Sequence, residues 1–222
     1  MKEWMTVEEA AQYLQIGKTV LYGFARDGNI PNNKVNGKWL FNKGDLDKWV
    51  RSNKPIERFF METSANIEEN LQLREPQVEA YQALYKFFKE GNKTAIIQIP
   101  VGCGKSGIAA ISPFGISKGR VLIISPNLTI KSGLFETLDI TNRQKCFWRN
   151  RDILKEEDMI GGPFACTLDT GNISVCEKSH IVVSNVQQLS TNPEKWLKKF
   201  RKDFFDLIIV DEAHHSPAES WK

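Results

Sequence analysis

Over the first fifty residues the apolar positions recur at helical spacing. Val7, Ala10, Ala11 and Leu14 fall on one face of a helix. Thr6 precedes them, with Glu9 three residues on, the pattern of a capping box, and Gly17 is expected to end the helix. A second helix is predicted from Lys18-Thr19 through Val20, Leu21 and Phe24 to Arg26, with Gly28 as its stop. Two short helices joined by a turn make a helix-turn-helix. Alternation then replaces helical spacing, and Lys34–Phe41 reads as a hairpin turning at Asn36-Gly37. Asp45 to Val50 is expected as a third short helix.

Beyond residue 72 the pattern changes again. Val78 to Glu90 is periodic, with Ala80, Tyr81, Leu84, Phe87 and Phe88 on one side. Four short apolar runs rich in β-branched residues follow: Thr94–Ile99, Arg120–Asn127 ending in a Pro turn, Ser179–Leu189 with its polar end, and the run within Phe205–His215 that ends in two carboxylates. Continuous apolar runs of this length read as buried parallel strands. The expected fold is therefore α/β, a parallel sheet preceded by a small helical domain. The expected divisions are a domain over 1–54, a linker over 55–72 opening at Asn53–Ile56, and a second domain over 73–222. Residues 139–178 carry no clear period.

Chemistry gathers at two strand ends. After Ile99 comes Pro-Val-Gly102-Cys103-Gly104-Lys105-Ser106. The glycines allow a tight turn whose N–H groups converge, and Lys105-Ser106 opens a helix toward the same spot. This arrangement cradles a triphosphate: backbone N–H groups and Lys105 on the phosphates, Ser106 on Mg²⁺. Ile99 stands where the strict pattern has its first glycine. The run ending at Val210 is followed by Asp211 and Glu212. A carboxylate there can hold Mg²⁺, and its neighbour can orient an attacking water. Open parallel sheets bind ligands at the C-terminal ends of their strands, so the two stretches are expected to converge.

Charge and cysteine content refine the picture. The chain has 222 residues and a net charge of +3. Residues 1–54 carry nine Lys/Arg and six Asp/Glu, which is the whole of that excess, and this points to a polyanionic partner. No apolar run reaches membrane-spanning length, and no signal-peptide pattern opens the chain. Cys103, Cys146, Cys166 and Cys176 lack zinc-like spacing. Reduced thiols in a cytoplasmic protein are expected, and Cys166, Cys176 and His180 are not read as a metal set. Lys195, Lys198, Lys199, Arg201 and Lys202 read as a solvated helix face.

The stretches Thr6-Val-Glu-Glu-Ala-Ala, Ile30-Pro, Asn36-Gly-Lys-Trp and Asp45-Leu-Asp-Lys-Trp resemble the excisionase-like winged helix-turn-helix family. That resemblance implies double-stranded DNA as partner, with the second helix in the major groove and the wing on the backbone. Carried onto this chain, it implicates Lys18, Thr19, Tyr22 and Arg26 on the helix and Lys34 and Lys38 on the wing. Gly23 stands where that family often has a basic residue.

The remainder resembles the N-terminal RecA-like ATP-binding lobe of superfamily 2 DEAH-type helicases, close to restriction-enzyme motor subunits. The match rests on Gly102–Ser106 and on Asp211-Glu-Ala-His214. It implies ATP and Mg²⁺ as cofactors, with Gly102, Cys103, Gly104, Lys105 and Ser106 cradling the nucleotide. Asp211 and Ser106 would serve the metal, and Asp211, Glu212 and Lys105 would be catalytic. The Gln before the P-loop in that family bonds the adenine edge, and Gln77 is its match. Asn127 and Thr129 match a motif that touches the nucleic-acid backbone. Only seven residues follow His215, so the chain is expected to be the N-terminal part of a longer ATP-dependent helicase or translocase. Its second lobe, which would bring arginine fingers, is missing here, and the chain alone is expected to hydrolyse little ATP. The alternative is a DNA-binding regulator or adaptor with a vestigial nucleotide pocket.

Overall fold

Thr6 acts at the start of the chain as its sequence predicts. Its Oγ1 accepts from the Glu9 N–H at 3.3 Å, while Glu9 Oε2 accepts from the Thr6 N–H at 2.9 Å. The helix so capped is α1 (Val7–Leu14). The structure, a computed structural model, describes residues 3–26, 28, 30–52, 55–100, 102–168, 173–191 and 199–212. Lys195, Lys198 and Ala213–His215 lie outside the described residues.

The chain forms two units, one of residues 1–54 with 156–162, the other of 55–155 with 163–222. In the first, α1 is followed by α2 (Lys18–Arg26), and β2 (Asn33–Val35) and β3 (Lys38–Asn42) form the expected hairpin. Asn36 and Gly37 both take positive φ, 49° and 79°, as a tight two-residue hairpin requires. A short β1 (Trp4–Met5) pairs antiparallel with β3, giving the order β1-β3-β2. The third helix, α3, runs Lys43–Ser52, longer than expected. Val7, Ala10, Ala11, Leu21, Ala25, Phe41, Leu46 and Trp49 form the core. Ile160, from the 3₁₀ turn Asp158–Ile160, packs against it.

Gly17 does not end α1. The turn comes at Gln15 (φ 54°), where the Ile16 N–H bonds back to Ala11 O at 3.0 Å. Ile16 packs on the core, and this apolar contact supports the left-handed turn without a glycine.

The second unit is an α/β fold. Its elements are α4 (Ile56–Glu62), α5 (Glu75–Lys89), α6 (Lys105–Ile111), β4 (Arg120–Ser125), α7 (Leu128–Leu138), α8 (Phe147–Asn150), β5 (Ala165–Thr167), α9 (Ile173–Glu177), β6 (Ile181–Asn185), α10 (Val186–Thr191) and β7 (Phe205–Val210). The four strands are parallel, in the order β5-β6-β4-β7. Sequentially distant strands lie side by side because helical crossovers return the chain each time. Val121, Ile123, Ile181, Val182 and Val183 are fully buried in the middle of the sheet.

Three expectations are corrected. Thr94–Ile99 is not a buried strand: it carries no regular structure, and Ile96 is 94% exposed. β-branched composition favours a strand only where a ladder and a covering layer meet it, and this stretch has neither in the structure. β7 is correspondingly half-exposed rather than buried, with Ile208 open to solvent. Nor is 55–72 a linker. Phe59 and Phe60 of α4 are buried, Phe60 edge-on to Phe114 at 5.2 Å and Phe59 against His180 at 4.5 Å. Asn70 Nδ2 donates to Arg151 O at 2.7 Å and the Asn66 N–H to Ile153 O at 2.9 Å. The Asn70 side chain and the Asn66 backbone and side chain thus satisfy backbone carbonyls at Arg151, Asp152 and Ile153, a role periodicity cannot reveal.

Candidate nucleotide and DNA sites

The glycine-rich turn is built as its composition requires. Gly102 and Gly104 take φ of 88° and 84°, a region that favours glycine. Lys105 and Ser106 then begin α6, and Ser106 is exposed. Cys103 is half-buried, its thiol unbridged. Across from the turn, the Asp211 N–H bonds Ile124 O at 2.8 Å, continuing the β7–β4 pairing by one residue.

The next residue leaves that ladder. Glu212 takes a left-handed backbone, φ 54°, a conformation that costs a non-glycine residue about 1–2 kcal/mol. Its carboxylate meets Lys105, with Nζ 2.7 Å from Oε1. The two strand-end stretches therefore converge in one place, 107 residues apart in the chain. Burial raises the Asp211 pKa, and the neighbouring Glu212 charge adds to this, with Lys105 acting in the opposite sense.

Gln77 sits in the first turn of α5 and is only 4% exposed. Its Oε1 accepts from the Arg74 N–H at 3.0 Å and its Nε2 donates to Gly104 O at 2.8 Å. Arg74 Nη1 also donates to Gly102 O. The start of α5 is thereby tied to the glycine turn at both glycines. Each end of the Gln77 amide keeps one further bonding position, since a primary amide has two N–H groups and two lone pairs.

Sequence reasoning missed two residues here, Gly107 and Phe147. A Cβ on Gly107 would lie 2.2 Å from Gln77 Nε2 and 2.6 Å from Phe147 Cζ. Only glycine lets these side chains close on α6. Phe147 belongs to α8, inside the stretch that showed no period. Its neighbour Trp148 is fully buried and donates from Nε1 to Ala110 O at 3.0 Å, which fixes α8 against α6.

In the first unit Lys18, Thr19, Tyr22 and Arg26 of α2 are all exposed, as are Lys34 and Lys38 on the hairpin. Lys18 bonds Glu8 at 3.3 Å, and Lys34 lies over the Trp39 ring, 4.9 Å from its centroid. In the second unit Asn127 and Thr129 are also exposed. Asn127 is the N-cap of α7, its Oδ1 accepting from the Ile130 N–H at 2.9 Å.

Cys166 and Cys176 lie with their sulfurs 3.8 Å apart, both buried. His180 is 2% exposed, faces Phe59, Phe60 and Phe164, and accepts from the Phe164 N–H at Nδ1. Burial, with the facing Arg120 charge, pulls its pKa down to about 3. Among the described residues no cluster of three or more His, Cys, Asp or Glu side chains could hold a metal, and no helix is long and apolar enough to cross a membrane.

Fold and site together define a RecA-like lobe joined to a small helix-turn-helix domain. The sequence comparison agrees on both parts. Residues 4–54 match the family described as Helix-turn-helix domain. Residues 70–222 match Type III restriction enzyme, res subunit, and the chain belongs to that family. This is a helicase-like family of restriction-enzyme motors, and the N-terminal match indicates DNA binding. No curated protein and no solved structure matches the chain.

Proposed function

We propose that the second unit binds ATP with Mg²⁺ as the first lobe of an ATP-dependent motor on double-stranded DNA, which the first unit engages. The observation that carries this is the Lys105–Glu212 contact beside Asp211 and the glycine turn. The residues present suit the metal. Asp211 and the Ser106 hydroxyl offer the hard oxygen donors that Mg²⁺ prefers, and burial first, then the Glu212 charge, raises the Asp211 pKa, a cost to its anion that a divalent cation would relieve. When bound, Mg²⁺ would neutralise developing charge on the phosphates.

The chain's own groups do the rest. Lys105 leaves Glu212 and places its ammonium on the phosphates. Glu212, released, accepts a hydrogen bond from water and orients it. At Gly102 nothing lies within 4 Å of where a Cβ would stand, which leaves its backbone open to the phosphates, while at Gly104 that position is covered by the Gln77 amide. On the DNA side, Lys18, Arg26, Lys34 and Lys38 neutralise backbone phosphates, while Thr19 and Tyr22 lie on the helix that enters the groove. Asn127 and Thr129 are assigned to a second backbone contact.

Steady-state ATP turnover with and without duplex DNA tests this reading. DNA-stimulated turnover that disappears in Glu212→Gln supports it, and no nucleotide binding at all would overturn it. A second reading, a DNA-binding adaptor with a non-hydrolysing pocket, is favoured by one observation: the stretch leading into the glycine turn is not held in the sheet. ATP affinity that duplex DNA does not change, with duplex affinity that ATP does not change, would select it.

A further inference from the structure

We infer that Cys166 and Cys176 form an oxidation site, a thiol pair that a peroxide converts to a disulfide stapling α9 to β5. The two sulfurs lie 3.8 Å apart, in hydrogen-bond contact, on residues ten apart in the chain. A disulfide needs about 2.05 Å between sulfurs, so each sulfur moves by roughly 0.9 Å to form one. Different elements place the partners. Cys166 is the middle residue of β5, registered against Val182 of β6. Cys176 lies on α9, whose C-terminal end is tied to the sheet: Arg120 Nη2, at the start of β4, donates to Glu177 O at 2.6 Å. Both cysteines belong to one apolar cluster with Leu122, Leu168, Val182 and Phe204.

The contact gives the two thiols different roles. When the pair loses a proton, the Cys176 S–H donates to the Cys166 thiolate, which lowers the Cys166 pKa; burial opposes this and Ser179 adds to it. The same contact, with burial, raises the Cys176 pKa. Cys166 is thus the nucleophile and Cys176 the resolving thiol. The Cys166 thiolate attacks one oxygen of hydrogen peroxide. An S–O bond forms, the O–O bond breaks, and the second oxygen leaves as hydroxide, which takes up the proton Cys166 released. Cys176 then attacks the Cys166 sulfur. The S–S bond forms, the S–O bond breaks, and its oxygen leaves as water with the Cys176 proton. The sulfurs together lose two electrons and the peroxide gains them. A dithiol reductant restores both thiols by exchange. At 6% and 1% exposure, the pair is reached when this corner of the sheet opens. β5 has three residues and ends the strand order, and α9 has five. Short elements with few neighbours open at low cost.

The test uses the full chain, reduced with dithiothreitol, freed of it, and exposed to hydrogen peroxide while folded. Iodoacetamide then blocks the remaining thiols, and peptide mass mapping reads the product. The expected linkage joins the peptides of Cys166 and Cys176 with loss of two hydrogens. The oxidised chain should show a higher urea midpoint than the reduced one, because the bond closes a loop between residues ten apart in the unfolded chain, and dithiothreitol should reverse the gain. Dimedone, which labels sulfenic acids, should mark Cys166 in Cys176→Ser and leave Cys176 unmarked in Cys166→Ser. Wild type alone decides the linkage if either variant fails to fold. Both cysteines staying reduced in the folded chain, a linkage through Cys103 or Cys146 instead, or a lower urea midpoint after oxidation would overturn the inference. Labelling of Cys176 in Cys166→Ser as strong as that of Cys166 in Cys176→Ser would overturn the roles assigned to the two thiols.

Discussion

Lys105 Nζ lies 2.7 Å from Glu212 Oε1, so the lysine proposed for phosphate is held by the carboxylate proposed for water. Both side chains are partly exposed, and such pairs are worth about 0.2–1 kcal/mol. On the proposed reading, a bound triphosphate breaks this pair. Glu212→Gln removes the charge and with it that cost. It should therefore bind ATP as tightly as wild type or up to about fivefold tighter, measured by nucleotide titration. A large loss of affinity in Glu212→Gln would mean that the glutamate positions Lys105 rather than competing for it.

His180 gives the second unit a pH-dependent stability. Burial holds its folded pKa at about 3, below the ordinary imidazole value of 6.5. The unfolded chain therefore takes up the proton first as pH falls. The stabilisation is fully present above about pH 6.5 and is lost below it, at about 1.4 kcal/mol per pH unit. Urea unfolding at pH 7, 6 and 5 should show this slope, and His180→Gln, which keeps an acceptor for Phe164, should flatten it. Over that window most carboxylates stay ionised. An unchanged slope in the variant would assign the effect to other groups.

Gly107→Ala is expected to be costly despite its size. The new methyl would press on Gln77 and Phe147 at distances that real contacts do not reach. Overpacking of this kind costs about 1–3 kcal/mol. The chain should show a lower urea midpoint, and the displaced Gln77 should loosen the glycine turn it ties, weakening nucleotide binding. Gly133→Ala, where nothing lies within 4 Å of the new atom, serves as the neutral control.

DNA binding by the first unit should be strongly salt-dependent. Each phosphate contact contributes about 0.9 to the slope of log affinity against log salt. Lys38→Ala or Arg26→Ala should lower that slope by about one if its side chain meets a phosphate. Fluorescence anisotropy with duplex DNA across a salt series measures it. Slopes identical to wild type in Lys18→Ala, Arg26→Ala, Lys34→Ala and Lys38→Ala would remove α2 and the hairpin from the DNA interface.

Local signals were legible in the sequence where local chemistry decides the structure. Thr6 with Glu9 marks the first helix, and Asn36-Gly37 marks the hairpin, because the residues that define each feature are neighbours. Tertiary contacts decided the rest. The run Thr94–Ile99 has strand composition but no ladder to join. Asn66 and Asn70 read as a polar connector, yet their amides serve the backbone carbonyls of Asp152 and Arg151. Lys105 and Glu212 could be named as a site because each belongs to a recognisable stretch. Phe147 could not, since what identifies it is a glycine forty residues earlier with no room for a methyl group.

The central claim is that Lys105 belongs to a site for the phosphates of ATP. Calorimetric titration of ATP with Mg²⁺ into wild type and Lys105→Ala tests it most directly. Wild type should bind at one site per chain. A hydrogen-bonded charge is worth about 1.5–3 kcal/mol, so Lys105→Ala should bind roughly ten- to hundredfold more weakly, with its urea midpoint preserved. Equal affinity in the two proteins, or no binding by either, would contradict the claim.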